Sequence, residues 1–173
     1  MKFGLLIILL ELLCQVEGDV REYVPNYFDV QKFAGQWYIV GVARGDYNVI
    51  KNVINPVNIS PEGRNMKIVI KVYKFYMCFE FPYLAESLQT AEKFKIDDGS
   101  TLSIKATDYL DYAVLQWNRK EENEYAPLLP LFSRTVVVSN KGIMRFTQIM
   151  AELGWTNHLI FSLDHKSKCI KDI

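Results

Sequence analysis

The stretch of sequence that decides the fold reads Asn26-Tyr-Phe-Asp-Val-Gln-Lys-Phe-Ala-Gly-Gln-Trp37. Its last three residues place a glycine two positions before Trp37, which opens an apolar run rich in β-branched and aromatic residues that ends at Ala43. Such a run predicts a buried strand. Glycine lets backbone segments approach closely, and an indole ring can fill one end of a core. The stretch therefore predicts the first strand of a β-rich fold, with Trp37 in its core.

The N-terminus has the pattern of a secretory signal peptide. Met1-Lys2 precedes an apolar run from Phe3 to Leu13 that is interrupted only by Glu11. The run is too short to span a bilayer and has the length of a signal-peptide core. Val16 and Gly18 are small enough for the −3 and −1 positions, so we predict cleavage after Gly18, secretion, and one domain over residues 19–173. A buried N-terminal helix is the alternative.

Composition narrows the classes of function. The chain has 173 residues, of which 50% are hydrophobic and 23% charged, which is typical of one folded domain. The formal net charge is zero, so the sequence predicts no nucleic-acid partner and no electrostatic attraction to an anionic membrane. After the signal peptide, no apolar stretch is long enough to cross a bilayer, and we expect no membrane insertion.

Short alternating strands dominate the rest of the chain. The segment from Met66 to Tyr76 alternates, and turn residues such as Asp97-Asp-Gly99 separate it from its successors. A spacing of about 10–14 residues without helical crossovers predicts an all-β, antiparallel up-and-down meander. The further predicted strands are Cys78 to Leu88, Glu92 to Ile96, Thr101 to Ala106, Tyr112 to Trp117, Tyr125 to Ser133 and His158 to Leu163.

One helix interrupts this pattern near the C-terminus. Ser139 can cap a helix, and Gly154 suits its C-terminal end. Between them, apolar residues recur at helical spacing at positions 143, 146, 150 and 153. Gly142 weakens this helix slightly.

Taken together, these motifs resemble those of the lipocalin family over the whole chain after the signal peptide. The opening stretch resembles the first conserved region of that family, Thr107-Asp108-Tyr109 the second, and Arg134 the third. Many relatives carry a proline just after the arginine, which this chain lacks. The resemblance implies an eight-stranded antiparallel β-barrel with one C-terminal α-helix packed outside and a short ninth strand. The segment from Thr107 to Ala113 looks closest to odorant-binding, pheromone-carrying and reproductive-tract members.

The resemblance also implies structural roles for several residues. Trp37 would plug the closed end of the barrel, and Arg134 could lie over the indole face as a cation–π contact. Asp108, at a tight turn, can accept hydrogen bonds from backbone N–H groups. The family motif residues are Gly35, Trp37, Thr107, Asp108, Tyr109 and Arg134, and we expect none of them to be catalytic.

Two cysteines remain once the signal peptide is removed. Cys78 and Cys169 have one possible intrachain pairing in an oxidising compartment, with two free cysteines as the alternative. They lie where many lipocalins tie the fourth strand to the C-terminal tail, which implies a disulfide bond.

Strand parity, aligned with the family pattern, predicts which side chains face the barrel interior. The opposite parity carries Lys67, Lys71, Lys93, Lys95 and Lys105, as a solvent face should. No charged residue is predicted to face inward, and Tyr83 is the main polar group. The alternative is a core that side chains fill completely. The predicted ligand-binding residues are Ile54, Val57, Ile68, Ile70, Tyr83, Phe94, Ile96, Leu102, Ile104, Leu115, Trp117, Leu128 and Phe132.

The function implied by the resemblance is extracellular binding and transport of a small hydrophobic molecule, such as a retinoid, odorant, pheromone or fatty acid. We expect no enzyme activity, cofactor or metal, because His158 and His165 lack a nucleophile or ligand set at a recognisable spacing. Prostaglandin isomerisation, which occurs in the family, needs a free cysteine in the cavity. A cell-surface receptor is a possible partner, and a monomer or weak dimer is expected. The alternative function is a secreted receptor-binding lipocalin with little or no cavity.

Overall fold

The computed structural model describes residues 28–43, 53–88, 92–120, 125–155 and 159–161. The predicted signal peptide, His158, His165 and Cys169 lie outside the described residues. Cys78 belongs to a disulfide bond, and its pairing with Cys169 stays a prediction.

The described strands form a closed antiparallel β-barrel. Neighbours along the chain pair from β2 to β8, and β1 pairs with both β8 and β2, which closes the sheet on itself. This arrangement confirms the predicted eight-stranded up-and-down barrel. The strands are β1 (Gly35–Ala43), β2 (Val53–Glu62), β3 (Asn65–Lys74), β4 (Met77–Ser87), β5 (Lys93–Ile96), β6 (Thr101–Thr107), β7 (Tyr112–Lys120), β8 (Tyr125–Ser133) and β9 (Leu159–Phe161).

The first strand has two different neighbours on one of its sides. Its first half, Gly35 to Trp37, pairs with β2 and closes the barrel, whereas Gly41 to Ala43 pair with β9. A register shift between Ile39 and Gly41 opposite β8 marks the change. The short ninth strand therefore extends the sheet beside β1, outside the eight-stranded barrel.

Two helices accompany the barrel: α1 (Val30–Phe33) precedes β1, and α2 (Asn140–Glu152) follows β8. The Ser139 side chain accepts a hydrogen bond from the Gly142 N–H at the start of α2, and Gly154 after its end has a φ of 71°. These are the predicted N-cap and C-terminal glycine. Gly142 lies against β7: an added Cβ there would be 3.0 Å from the Cβ of buried Tyr112. This glycine lets the helix pack closely against the barrel.

The apolar core is divided by the barrel wall. One cluster lies inside the barrel and includes Trp37, Ile68 and Leu115, while the other lies between the wall and α2 and includes Val114, Leu131 and Phe146. Alternation along each strand sends successive side chains to opposite clusters. The inner cluster positions the candidate site described below.

Trp37 and Arg134 close one end of the barrel. The Arg134 guanidinium carbon lies 3.7 Å from the centre of the Trp37 ring, and the indole N–H donates to the Phe33 carbonyl at 2.8 Å. Arg134 also donates to backbone carbonyls of Lys32, Phe33, Gln36 and Tyr109. One side chain thus joins α1, β1 and the β6–β7 turn.

Asp108 organises that β6–β7 turn. Its Oδ1 accepts hydrogen bonds from the N–H groups of Leu110, Asp111 and Tyr112, and its Oδ2 lies 3.2 Å from Lys141 Nζ on α2. Burial of the carboxyl opposes ionisation, but the backbone hydrogen bonds and Lys141 outweigh it and lower the pKa of Asp108. The ionised carboxylate of Asp108 therefore stabilises the turn.

We expect the stabilising contribution of Asp108 to depend on pH. Because the folded-state pKa lies below the unfolded value, this contribution is complete above about pH 4 and is lost as the pH falls through the lowered pKa. Thermal unfolding of the protein and of Asp108→Asn should differ most at neutral pH, and the difference should shrink in acid. A difference that stays constant from about pH 7 to about pH 2 would contradict this account.

Candidate functional site

The barrel interior contains a cavity of about 120 Å³. The predicted alternative of a completely filled core is therefore wrong for this barrel. The cavity walls come from β1, β2, β3, β4, β7 and β8, so it spans the barrel from wall to wall. The lining residues are Ile39, Ile59, Ile68, Ile70, Val72, Tyr83, Leu115, Trp117, Arg119, Leu128, Pro130 and Phe132.

The end of the cavity nearest Trp37 is apolar. Phe132 packs edge-on against Trp37, with ring centroids 6.4 Å apart, and is paired with Ile39 across the β1–β8 ladder. Ile59 and Ile68 face each other across the β2–β3 ladder. These isoleucine and phenylalanine side chains at the floor of the cavity cannot solvate a charge, so they suit the apolar part of a ligand.

Polar groups line the other part of the cavity. Along β7, side chains that face inward run from Leu115 near the floor through Trp117 to Arg119 near the open end. Tyr83 on β4 packs edge-on against Trp117, with ring centroids 5.5 Å apart and an interplanar angle of 87°. Tyr83, Trp117 and Arg119 therefore offer a hydroxyl, an indole N–H and a guanidinium to one region.

The indole N–H of Trp117 is buried and has no hydrogen-bond partner among the described residues. A buried donor costs free energy unless a protein group, a water or a ligand accepts its hydrogen bond. Since Trp117 lines the cavity, a hydrogen-bond acceptor inside the cavity can satisfy this donor.

The Tyr83 hydroxyl acts as a neutral hydrogen-bonding group. Desolvation by burial raises its pKa, Asp98 and Asp97 raise it further, and Arg119 opposes them. The phenol therefore keeps its proton at neutral pH and can donate a hydrogen bond to a bound molecule.

Arg119 corrects the prediction that no charged residue faces inward. The prediction ended the seventh strand at Trp117 and assigned the following polar residues to a turn, whereas β7 continues to Lys120. Alternation from Trp117 over this longer strand places Arg119 on the inner face. The polar sequence Asn118-Arg-Lys120 concealed the continuation because it lacks the β-branched residues that mark a strand.

Seven predicted binding residues line the cavity: Ile68, Ile70, Tyr83, Leu115, Trp117, Leu128 and Phe132. Five others are buried in the inner cluster away from the cavity wall: Val57, Phe94, Ile96, Leu102 and Ile104. Ile54 belongs to β2, and its side chain lies outside the described part of the chain. Besides Arg119, the prediction missed Ile39, Ile59, Val72 and Pro130, all of which the same alternation could have indicated.

Within the described part of the chain, no group of three or more His, Cys, Asp or Glu side chains could hold a metal ion. No described helix is both long enough and apolar enough to cross a membrane. The described side chains that line the cavity instead supply apolar surface and hydrogen-bond donors, which is chemistry for binding.

No family model matches the chain. Curated relatives include major urinary protein 20 of Mus musculus, 22% identical over 94% of this chain and 92% of that protein. The extracellular fatty acid-binding protein of Gallus gallus is 26% identical over 94% of both. Epididymal-specific lipocalin-5 of Rattus norvegicus is 22% identical over 99% of this chain and 93% of that protein.

The fold agrees with that of a solved relative. The structure of Ex-FABP, described as a siderocalin that functions through dual ligand specificities, superposes with a TM-score of 0.65. The alignment is 21% identical and covers 74% of this chain and 91% of that one. The barrel agrees with the fold of that structure, and the curated relatives are matched over nearly their whole length. The chain is similar in sequence to a named lipocalin over nearly its whole length. In this protein the apolar floor and the group formed by Tyr83, Trp117 and Arg119 define the candidate binding site.

Proposed function

We propose that this protein is a lipocalin that binds and carries a small amphipathic molecule with an acyl-chain-like tail and an anionic or hydrogen-bond-accepting head. The observation that carries the proposal is that one mainly apolar cavity is also lined by three side chains with hydrogen-bond donors, Tyr83, Trp117 and Arg119. The tail would lie against Ile39, Ile68 and Phe132. The head would lie near Tyr83, Trp117 and Arg119.

The size of the cavity supports a slender ligand. Its volume of about 120 Å³ is below the range of about 300–1,000 Å³ typical of drug-sized pockets. A flexible chain fits such a space with less rearrangement than a bulky ring system. Among the classes that the sequence suggests, fatty acids therefore fit better than retinoids.

The polar wall supports a ligand with an acidic head. A carboxylate accepts hydrogen bonds only, and it matches a phenol O–H, an indole N–H and a guanidinium. Hydrogen bonds that involve a charged group are shorter and stronger than neutral ones. A carboxylate beside Arg119 would also satisfy the buried N–H of Trp117.

The named relatives agree with a carrier role. One of them is named as an extracellular fatty acid-binding protein, and we propose the same compartment for this chain after removal of residues 1–18. We include the Cys78–Cys169 disulfide in the proposal for the secreted form. The cavity favours this role over a receptor-binding protein without a ligand and over an enzyme.

Titration with a fluorescent fatty-acid analogue tests the proposed site. Ile70→Trp places a bulky side chain in the cavity wall, and we expect it to weaken probe binding by at least about tenfold, or about 1.4 kcal/mol. The matched control is Val69→Trp, which makes the same addition on the outer face of the same strand. It should bind the probe as the unmodified protein does.

Two outcomes would reject the carrier role. One is the absence of saturable binding of fatty acids and other hydrophobic probes by the folded protein. The other is equal binding by Ile70→Trp and Val69→Trp, which would place the probe outside the cavity. Displacement of the probe by unlabelled fatty acids, retinoic acid and long-chain alcohols would rank the ligand classes.

A further inference from the structure

The β3–β4 hairpin ends in an exposed aromatic tip. Phe75 and Tyr76 form the two-residue turn between the paired residues Lys74 and Met77. Their exposed fractions are 72% and 93%. Phenylalanine is usually buried, and exposing two adjacent aromatic rings forgoes the free energy of burying them. The tip therefore presents apolar surface that the described part of the chain does not cover.

The backbone of the tip is also unfavourable for these residues. Phe75 has a φ of 53° and Tyr76 a φ of 61°. Two-residue hairpin turns with positive φ at both positions strongly favour Asn-Gly or similar pairs, and bulky residues are rarely found there. Neither backbone preference nor solvation accounts for Phe-Tyr at this position. Backbone strain of this kind is found where function requires a side chain.

An apolar strip connects the tip to the cavity. Phe79 and Phe81 lie on the same face of β4 as Tyr83, because the β3–β4 ladder runs without a register shift. They are paired with Val72 and Ile70, which line the cavity, and their exposed fractions are 37% and 43%. We call Met77, Phe79 and Phe81 the entry strip. It places an apolar path between the tip and the proposed ligand site.

We propose that this tip docks on the lipid–water interface of a membrane, so that the cavity can exchange an amphipathic ligand with the lipid. This inference rests on the proposed function for its ligand class. Aromatic side chains favour the interface, where their apolar rings meet a polar environment. Lys74, whose Nζ lies 5.0 Å from the centre of the Phe75 ring, can remain at the headgroup level while its stem is buried.

The shape and charge of the tip favour a lipid surface over a protein partner. A stable protein interface buries about 800 Å² on each side, which a two-residue turn cannot supply by itself. A narrow projecting tip can enter a fluid interface without a complementary surface. The formal net charge is zero for the whole chain and +1 without residues 1–18, which hold Lys2, Glu11 and Glu17, so the attachment should depend on the aromatic rings and only weakly on salt or anionic lipid.

Flotation with phosphatidylcholine vesicles tests this proposal. The protein without residues 1–18 should float with the vesicles. Phe75→Asn/Tyr76→Gly should reduce the association at least about tenfold, because it removes the two aromatic rings that would enter the lipid interface. The double substitution installs the pair that this turn prefers, so its melting temperature should equal or exceed that of the unmodified protein. Binding of the fluorescent fatty acid in vesicle-free solution should change less than about twofold, about 0.4 kcal/mol.

A matched control removes two exposed apolar side chains at the opposite end of the barrel. Leu110→Asn/Val137→Asn, at positions 85% and 75% exposed, should float as the unmodified protein does. Failure of the unmodified protein to float, or equal flotation by the tip variant, would overturn the proposal. A third result would also overturn it: the unmodified protein forms concentration-dependent dimers but does not bind vesicles, and the tip variant forms no dimers. The tip would then be a protein interface. Vesicle-free titration tests the ligand site separately.

Discussion

Replacing Trp37 by alanine is expected to destabilise the protein by about 3–5 kcal/mol. The indole is fully buried at the closed end, where it contacts Phe33, Phe132 and the Arg134 guanidinium. Its removal leaves a cavity beneath Arg134 and a Phe33 carbonyl that has lost its indole donor. Denaturant unfolding should show a lower midpoint with an unchanged slope.

Trp155→Ala is the control for loss of a tryptophan. Trp155 is half-buried and packs against the apolar cluster that lies between the barrel wall and α2. Because it buries less apolar surface, we expect its replacement to lower the free energy of unfolding less than Trp37→Ala does. Equal losses of unfolding free energy in the two variants would contradict a larger contribution from Trp37 at the closed end.

Replacing Arg119 by methionine should weaken binding of a fatty acid by about ten- to a hundredfold, the equivalent of about 1.5–3 kcal/mol for a hydrogen bond to a charged group. Methionine keeps an apolar stem in the cavity wall but cannot pair with a carboxylate. The matching long-chain alcohol should bind both proteins with similar affinity. Displacement of the fluorescent probe by each compound measures the two affinities.

Arg119→Lys separates charge from geometry in the same experiment. A lysine retains the positive charge but lacks the planar fork of donors, so it should restore part of the affinity for the acid. If Arg119→Met weakens acid and alcohol binding equally, the head group does not lie at Arg119. The tail-inward orientation proposed above would then be wrong.

The barrel could be predicted from the sequence because its signals are local. Alternation, turn residues and the Ser139 and Gly154 helix boundaries each depend on a few neighbouring residues. The positions of Thr107, Asp108 and Arg134 relative to Gly35-Gln-Trp37 then indicated one family. The same local rule failed at the end of β7, where polar residues continue the strand because β8 pairs with Asn118, Arg119 and Lys120, while β6 pairs only as far as Asn118.

The candidate site could be predicted only in part. Alternation along the strands correctly predicted which side chains are buried inside the barrel. It cannot distinguish a side chain that fills the barrel from one that borders a cavity. Phe94 shows the difference: it faces the interior and packs edge-on against Phe28, which comes from the segment before β1. Its neighbours across the barrel, distant in sequence, fill the space around it.

By itself, the sequence determined the strand order, the closed end and the alternation of inner and outer side chains, because backbone pairing and binary patterning act over short distances. Only the tertiary structure decided where the interior stays empty, because a void depends on the volumes of side chains that meet from opposite walls. It also brought Arg119 beside Tyr83 and Trp117, and it required glycine at position 142, where α2 approaches Tyr112. The Gly35-Gln-Trp37 motif thus indicates the barrel, and contacts between side chains across the barrel determine its ligand site.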